Sequence, residues 1–421
     1  MSSEWTERKL GEIVTFKTGK LDSNAAEDNG QFPFFTCSPN TLAINSFAFD
    51  TEAVILAGNN ANGVFSIKHY SGKFNAYQRT YVIEPIDKET VSCRYAYFLL
   101  SYMIGSLKEL SIGSATKFLT KTILNALPVR LPPKLEQDEI ALVLSSLDDR
   151  ITLLRDTNTT LEAIAQALFK SWFVDFDPVH AKMQGRAPEG MDQATAALFP
   201  DSFEDSELGP VPNGWCVGSV GVIAEVIDCL HSKKPELIDS SHSFLQLSNI
   251  RDDGLLDTSE VAGISETDYK KWISRIEVSE GDCVITNVGR VGAVAQIPAG
   301  YKAAMGRNMT AVRSKKEYQF PTYLVELLQS PSMRAEIEAK TDVGTILNAL
   351  NVRSIPTLRC VLASHGVMNE FESIARPVRA KMESNIARIQ TLSGVRDTLL
   401  PRLISGQLRL PEAQHIVEAA L

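Results

Sequence analysis

The 421-residue chain carries six cysteines and six histidines, the side chains with which proteins most often hold metals or build nucleophiles, and neither set is spaced for that work. Cys37, Cys93, Cys216, Cys229, Cys283 and Cys360 contain no Cys-x-x-Cys pair, so neither a zinc ribbon nor a disulfide framework is expected and the thiols read as free and buried. The histidines (His69, His180, His231, His242, His365 and His415) include no i, i+4 pair that would set two imidazoles on one helix face, so no metal site is expected. Gly19-Lys20 and Gly72-Lys73 are followed by Leu and Phe where a phosphate loop requires Ser or Thr. Pro200-Asp201 lacks the Glu-x-Lys on a following strand that a nuclease metal site needs. The chain has neither an adenine-methyltransferase Asn-Pro-Pro-aromatic tetrapeptide nor a glycine-rich cofactor fingerprint. These residues suit binding better than catalysis.

The polar groups that remain recur in parallel. Trp5 to Ile13 and Trp215 to Ile223 share their spacing. The β-rich runs Glu52 to Gly58 and Gly281 to Asn287 lead into the loops GNNANG (58 to 63) and NVGRVG (287 to 292). Gln78-Arg79-Thr80-Tyr81-Val82 parallels Arg307 to Val312, and glycine loops at Gly113 and Gly344 precede Leu127-Pro128 and Ile355-Pro356. The chain therefore reads as a tandem duplication of a mixed α/β globule followed by a long helix. Tyr81-Val-Ile-Glu predicts a strand, while Tyr95 to Leu107 and Pro321 to Ala339 predict helices.

Two long helices must hold these globules. From Leu135 to Asp175, core-type positions fall at Ile140, Leu144, Leu147, Ile151, Leu154, Asn158, Leu161, Ala165, Leu168 and Trp172. The alternating spacings of four and three mark a coiled-coil seam. The same spacing from Phe371 to Gln407 selects Phe371, Ala375, Val378, Met382, Asn385, Ile389, Leu392, Arg396, Leu399 and Leu403. Paired antiparallel, Trp172 meets Phe371, Ile140 meets Leu403, and the two seam asparagines share a layer, which would fix the register. The segment from 176 to 214, rich in proline, glycine and acid, reads as an extended linker with one helical turn near Ala194 to Leu198.

A net charge of −9 argues against a nucleic-acid partner until it is divided by segment. Residues 135 to 214 hold 5 basic and 15 acidic groups, whereas 1 to 134 hold 14 and 12, 215 to 370 hold 16 and 19, and 371 to 421 hold 7 and 5. The acidity belongs to the first helix and the segment after it, so either globule can still present a basic face. No apolar run approaches the roughly 18 residues that span a bilayer, and the N-terminus lacks a signal-peptide core; a cytoplasmic protein without a membrane partner is expected.

Trp5 to Ile13, Gly113 to Pro133, Leu135 to Pro178 (with ALFKSWFVDFDP at its end), Pro200 to Trp215, Gly281 to Arg313 and Leu399 to Leu408 together resemble the specificity subunits of type I restriction-modification systems. The resemblance covers nearly the whole chain. It implies a pseudo-two-fold α/β chain with target-recognition domains at 1–134 and 215–370. A central coiled-coil helix would span 135–178, a linker 179–214, a C-terminal coiled-coil helix 371–410 and a tail 411–421. It also implies a non-catalytic subunit that binds double-stranded DNA at a split site and docks methyltransferase subunits, two of them by symmetry, with a restriction subunit in systems that have one. S-adenosylmethionine, and ATP with magnesium, would belong to those partners. A helix of this length is roughly 60 Å long at 1.5 Å per residue, ample for half-sites roughly 34 Å apart.

Base readout needs Arg, Lys, Asn or Gln in a groove, and phosphate contact needs cations, hydroxyls and glycine loops. On that chemistry the DNA candidates of the first domain are Asn59, Asn60, Asn62, Lys68, Lys73, Tyr77, Gln78, Arg79, Ser114, Thr116 and Lys117. Those of the second are Asn287, Arg290, Lys302, Arg307, Asn308 and Thr345. Large apolar groups at the helix ends (Phe169, Trp172, Phe173 and Phe176; Leu400, Leu403, Ile404 and Leu408) are candidates for docking a partner. The competing readings are an adaptor with no DNA role, and a stand-alone nuclease or methyltransferase with an unrecognised site.

Overall fold

A computed structural model describes residues 5–61, 63, 65–114, 116–344 and 347–421. They divide into two compact units, Met1–Leu153 with Ile389–Leu421, and Leu154–Arg388. In the first, a six-stranded sheet runs in the order Val14–Thr18, Thr80–Pro85, Phe49–Ala57, Ile67–Ala76, Phe32–Phe35, Leu42–Ile44. All its pairings are antiparallel except Phe32–Phe35 with Ile67–Ala76, where Phe34 faces Asn75 and Phe35 faces Ala76. The Ala53 to Ala57 run is buried, as expected of a central strand.

The second unit builds the same plan from two four-stranded sheets. One runs Ala224–Asp228, Met309–Ser314, Cys283–Thr286, Val294–Gln296, and the other Ala262–Gly263, Ile238–Leu245, Lys302–Met305, Val278–Ser279. A parallel strand pair sets Phe244 against Ala304 and Leu245 against Met305. Main-chain hydrogen bonds identify equivalent residues directly. Tyr77 N donates to Phe35 O and Gly58 N to Arg79 O in one unit; Gly306 N donates to Leu245 O and Asn287 N to Asn308 O in the other. Leu119 N to Gly58 O likewise matches Leu350 N to Asn287 O. Gly58 thus corresponds to Asn287, Gln78 to Arg307 and Arg79 to Asn308. The duplication read from weak sequence parallels is a duplication of hydrogen-bond topology.

Each globule closes with a short antiparallel pair, Thr6–Lys9 with Pro128–Leu131 and Cys216–Ser219 with Arg359–Leu362, immediately before a long helix. Those helices run Lys134–Phe173 and His365–Ile404. The first stops before the predicted 178 because Phe176 adopts a left-handed backbone (φ 54°). The predicted helices at 95–107 and 321–339 are each two shorter ones, Cys93–Tyr102 with Ile104–Leu110 and Pro321–Gln329 with Pro331–Ala339. Pro331 forces the second break, since the residue before a proline leaves the helical region.

Two expectations are corrected. The 179–214 stretch is not an extended linker: it contains Asp177–Met183, Gln193–Ala197 capped by Asp192, and a hairpin of Phe203–Ser206 with Gly209–Pro212. Proline and acid density concealed three core residues, Val179, Phe199 and Val211, all nearly inaccessible. The 411–421 tail is part of a helix, Leu410–Ala420, held by buried Ala413 and Val417.

Candidate nucleic-acid interface

In the first unit, strand Phe49–Ala57 delivers the chain into Gly58, where a Cβ would lie 2.5 Å from the Arg79 carbonyl oxygen, so only glycine allows this approach. The loop then pairs with a short strand, Asn59 facing Phe118 and Asn60 facing Lys117. Phe118 carries the Arg79 guanidinium over its ring at 5.6 Å, an arrangement that orients an exposed arginine without neutralising it. Cys37 Sγ donates to Asn59 Oδ1 at 2.9 Å. At Gly63 (φ 69°) an added Cβ would meet the Lys108 and Lys117 stems, both at 3.2 Å, so two lysines flank the loop. The structure thus gathers Asn59, Asn60, Arg79 and Lys117, and adds Lys108, which the sequence did not single out because it sits on a separate helix, Ile104–Leu110.

The other first-unit candidates differ in how free they are. Gln78 is exposed and donates through Nε2 to Asp22 Oδ1 at 2.6 Å. Tyr77 is half-buried and its main chain bonds to Phe35 O. Lys68 is half-buried, donates to Ser38 O and Thr41 Oγ1, and has its pKa lowered by desolvation, so it ties down the 38–41 loop. Lys73 lies over the Phe47 ring at 4.7 Å. Ser114 is exposed and Thr116 half-buried in the tight turn after Gly113. Asn62 lies outside the described residues, as does Thr345 in the second unit.

In the second unit Asn287 faces inward, correcting its assignment as a surface contact. Its Oδ1 accepts from Thr310 Oγ1 at 2.8 Å, its Nδ2 donates to Leu350 O at 3.2 Å, and it is 5% exposed. A buried amide with its partners satisfied is a structural group. Arg290 is bonded to Ile250 O (2.7 Å) and paired with Asp252 (3.2 Å), and Lys302 is paired with Glu277 (3.5 Å). Arg307 and Asn308 stand apart. Asn308 takes a left-handed backbone (φ 64°), and both residues line a cleft of about 540 Å³ shared with Lys234, Gln246 and Ser248. Phe244 and Trp272, packed edge to face with centroids 5.0 Å apart, complete it.

Two clusters could have suggested metals. Glu52, His69 and Cys93 converge in the first unit, but Arg94 Nη1 donates to His69 Nδ1 at 2.8 Å. The imidazole must then carry its proton on Nε2, facing Glu52 at 2.9 Å, and has no lone pair for a metal. Asp228, Cys229 and His231 converge in the second, with Arg275 already paired to Asp228 at 3.4 Å.

The helix pair is antiparallel. Within the second unit Trp172 lies 6.1 Å from Phe371, and Asn385 Nδ2 donates to Asn158 Oδ1 at 2.8 Å. Within the first, Ile140, Leu144, Leu147 and Ile151 are buried along with Leu392, Leu399 and Leu403. Arg396 turns out of the seam to Asp148 at 2.9 Å. The proposed docking rings are largely internal: Phe169, Trp172 and Phe173 sit in the second unit's core with Trp215, Tyr323 and Phe371, and Phe176 packs against it. Leu403, Ile404 and Leu408 are also buried, leaving Leu400 half-buried. Aromatic residues at a helix end signal either a dock or a core, and here the chain's own globule covers them. Among the described residues no helix is long and apolar enough to cross a membrane.

Two duplicated α/β globules with an antiparallel pair of 40-residue helices define the class: the fold of specificity subunits. A solved S subunit of a type I restriction-modification system from M. genitalium superposes with a TM-score of 0.62 at 16% identity over 96% of each chain. The type I restriction modification DNA specificity domain family matches residues 2–163. The EcoDI specificity subunit of Escherichia coli is 38% identical over 239 residues, 54% of this chain and 51% of that protein. The chain thus aligns with about half the length of that relative. The MjaIX specificity subunit of Methanocaldococcus jannaschii is 25% identical over 333 residues, 78% of this chain and 72% of that one. The family match thus covers residues 2–163, and the likeness to the solved S subunit extends the shared fold over the rest of the chain.

Proposed function

We propose that this chain supplies the DNA address of a type I restriction-modification complex. Each globule reads one half of a split duplex target, and the paired helices set the spacing between halves. Methyltransferase subunits, two by the internal symmetry, bind along the helices and their junctions. They bring S-adenosylmethionine, while ATP and magnesium enter only with a restriction subunit, and the complex works on cytoplasmic DNA. The observation that carries this reading is the matched pair of turns, Tyr77-Gln78-Arg79 and Gly306-Arg307-Asn308. The same main-chain hydrogen bonds set exposed amide and guanidinium groups at equivalent points of both globules. Such groups suit base edges, and Lys108 and Lys117 beside them suit phosphates.

Because the docking rings are internal, partner contact falls to the half-buried and exposed positions around them. Selection of bound duplexes from a random pool tests the proposal, with the purified chain alone and with a type I methyltransferase subunit. A split motif is expected. Recovery of no motif under both conditions favours an adaptor without a DNA role.

A further inference from the structure

We infer that Arg307 reads a guanine in the second half-site and that Gln78, at the equivalent position of the first globule, reads an adenine. The inference rests on the DNA-reading function proposed above and assigns it a chemistry. The equivalence comes from the backbone: Tyr77 N to Phe35 O matches Gly306 N to Leu245 O, and Gly58 N to Arg79 O matches Asn287 N to Asn308 O, so the intervening Gln78 and Arg307 occupy one site of the repeat. What differs is the side chain.

Most arginines of the second unit are held by acids, whereas Arg307, like Arg334 and Arg353, has no carboxylate partner among the described residues, and of these three only Arg307 lines the cleft. Arg251, Arg275, Arg290, Arg313, Arg359 and Arg379 each reach a carboxylate within 4 Å. Arg307 is exposed and forms no ion pair among the described residues. It sits on a turn fixed by the left-handed Asn308, at a cleft whose other polar groups include Lys234 and Gln246, joined at 2.7 Å. Trp272, also lining the cleft, has an indole N–H without a hydrogen-bond partner. An uncommitted guanidinium fork matches the O6 and N7 acceptors of guanine, which no other base pair presents together in the major groove.

Gln78 meets the complementary requirement. A glutamine reads adenine by accepting from N6 and donating to N7. Asp22 Oδ1 takes one Nε2 hydrogen at 2.6 Å, which fixes which end of the amide is the donor and leaves Oε1 and the second N–H for the base edge. The Asp22 carboxylate thereby acts as a positioning group, and it gives the first globule a reader with one orientation.

The test is selection from random duplexes with the full chain and the variants R307A, R307Q and Q78R, each checked for folding by circular dichroism. The wild type should return a split motif with guanine at one position of one half. R307A should make that position degenerate and weaken binding of the wild-type target roughly ten- to a hundredfold. R307Q should change the guanine to adenine there and nowhere else, and Q78R should make the reverse exchange in the other half. If R307A lowers affinity but leaves every position of the motif intact, Arg307 is a phosphate contact and the inference is overturned. It is also overturned if R307Q keeps the guanine. A wild-type chain that selects no motif either alone or with a type I methyltransferase subunit overturns the functional reading itself, an outcome distinct from both.

Discussion

Asn385 donates through Nδ2 to Asn158 Oδ1 at 2.8 Å across the helix seam, and Asn158 Nδ2 in turn donates to the Met382 carbonyl at 3.0 Å. Both amides are buried, and Asn385 Oδ1 has no partner. An apolar pair would pack this layer with fewer polar groups withheld from water, so the amides favour one register at some cost in stability. Replacing Asn385 alone by Leu leaves Asn158 Oδ1 without its donor and should cost about 1–3 kcal/mol. The double variant N158L/N385L should recover at least that loss. Urea unfolding followed through Trp172, Trp215 and Trp272 measures both, and a double variant no more stable than N385L would show that the amides do not act as a pair.

A buried polar side chain on each long helix also helps to pin it to its own globule. Gln137 accepts from Ser92 N and donates to Thr90 O and Pro132 O; Glu372 accepts from Thr322 N and Oγ1 (both 2.9 Å) and Tyr323 N (3.0 Å), capping helix Pro321–Gln329. Pro321 leaves that helix start in need of an outside acceptor, because Phe320 offers no side-chain cap. Glu372→Ala should destabilise the second unit by on the order of 3 kcal/mol, since it strands buried donors. Glu372→Gln keeps an acceptor oxygen and should lose less. Equal loss in both variants, read by thermal unfolding, would locate the effect in charge and not in capping.

The parts legible from sequence were those with a period. The four-three spacing identified both helices and aligned Trp172 with Phe371 and Asn158 with Asn385, because a seam must bury the same face at every turn. The repeat survived as the order of motifs around Gly58 and Asn287. What sequence could not show was direction. Asn287 looked like a loop amide of the same kind as Asn59, yet one faces Leu350 and Thr310 in the core while the other lies half-buried in a surface strand. Lys108 was missed because its partner in space, Lys117, lies on the far side of a turn, and the 179–214 core residues were hidden by the composition around them.

Lys108 and Lys117, which flank Gly63, should touch phosphates in the bound state. Changing either to Ala should then lower affinity for all duplexes alike and reduce the slope of log affinity against log salt by about 0.9 for each phosphate no longer neutralised. Binding titrations between low and moderate salt give the slopes. An unchanged slope with an altered sequence preference would move the residue from phosphate to base recognition.

Glu326 and Arg379 form a nearly inaccessible pair, Nη1 to Oε1 at 3.9 Å, in which Arg379 also bonds the Gly254 carbonyl and leaves Nε unpartnered. Burial pushes the Glu326 carboxyl up from its ordinary 4.5 to about 7; the Arg379 charge opposes the rise and Glu162 adds to it. An acid whose folded pKa lies above its unfolded one binds more protons when folded, so its contribution is greatest below about 4.5 and is lost as pH rises through about 7. Glu372, Glu383 and Glu162 are raised by burial as well, in the same direction. The unfolding temperature of the second unit should therefore fall between about pH 5 and pH 8. Glu326→Gln, which fixes the neutral form, should flatten that fall and leave the variant more stable than the wild type at the alkaline end. Scanning calorimetry across that range decides the matter: parallel curves for wild type and variant would show that Glu326 keeps the same protonation state throughout.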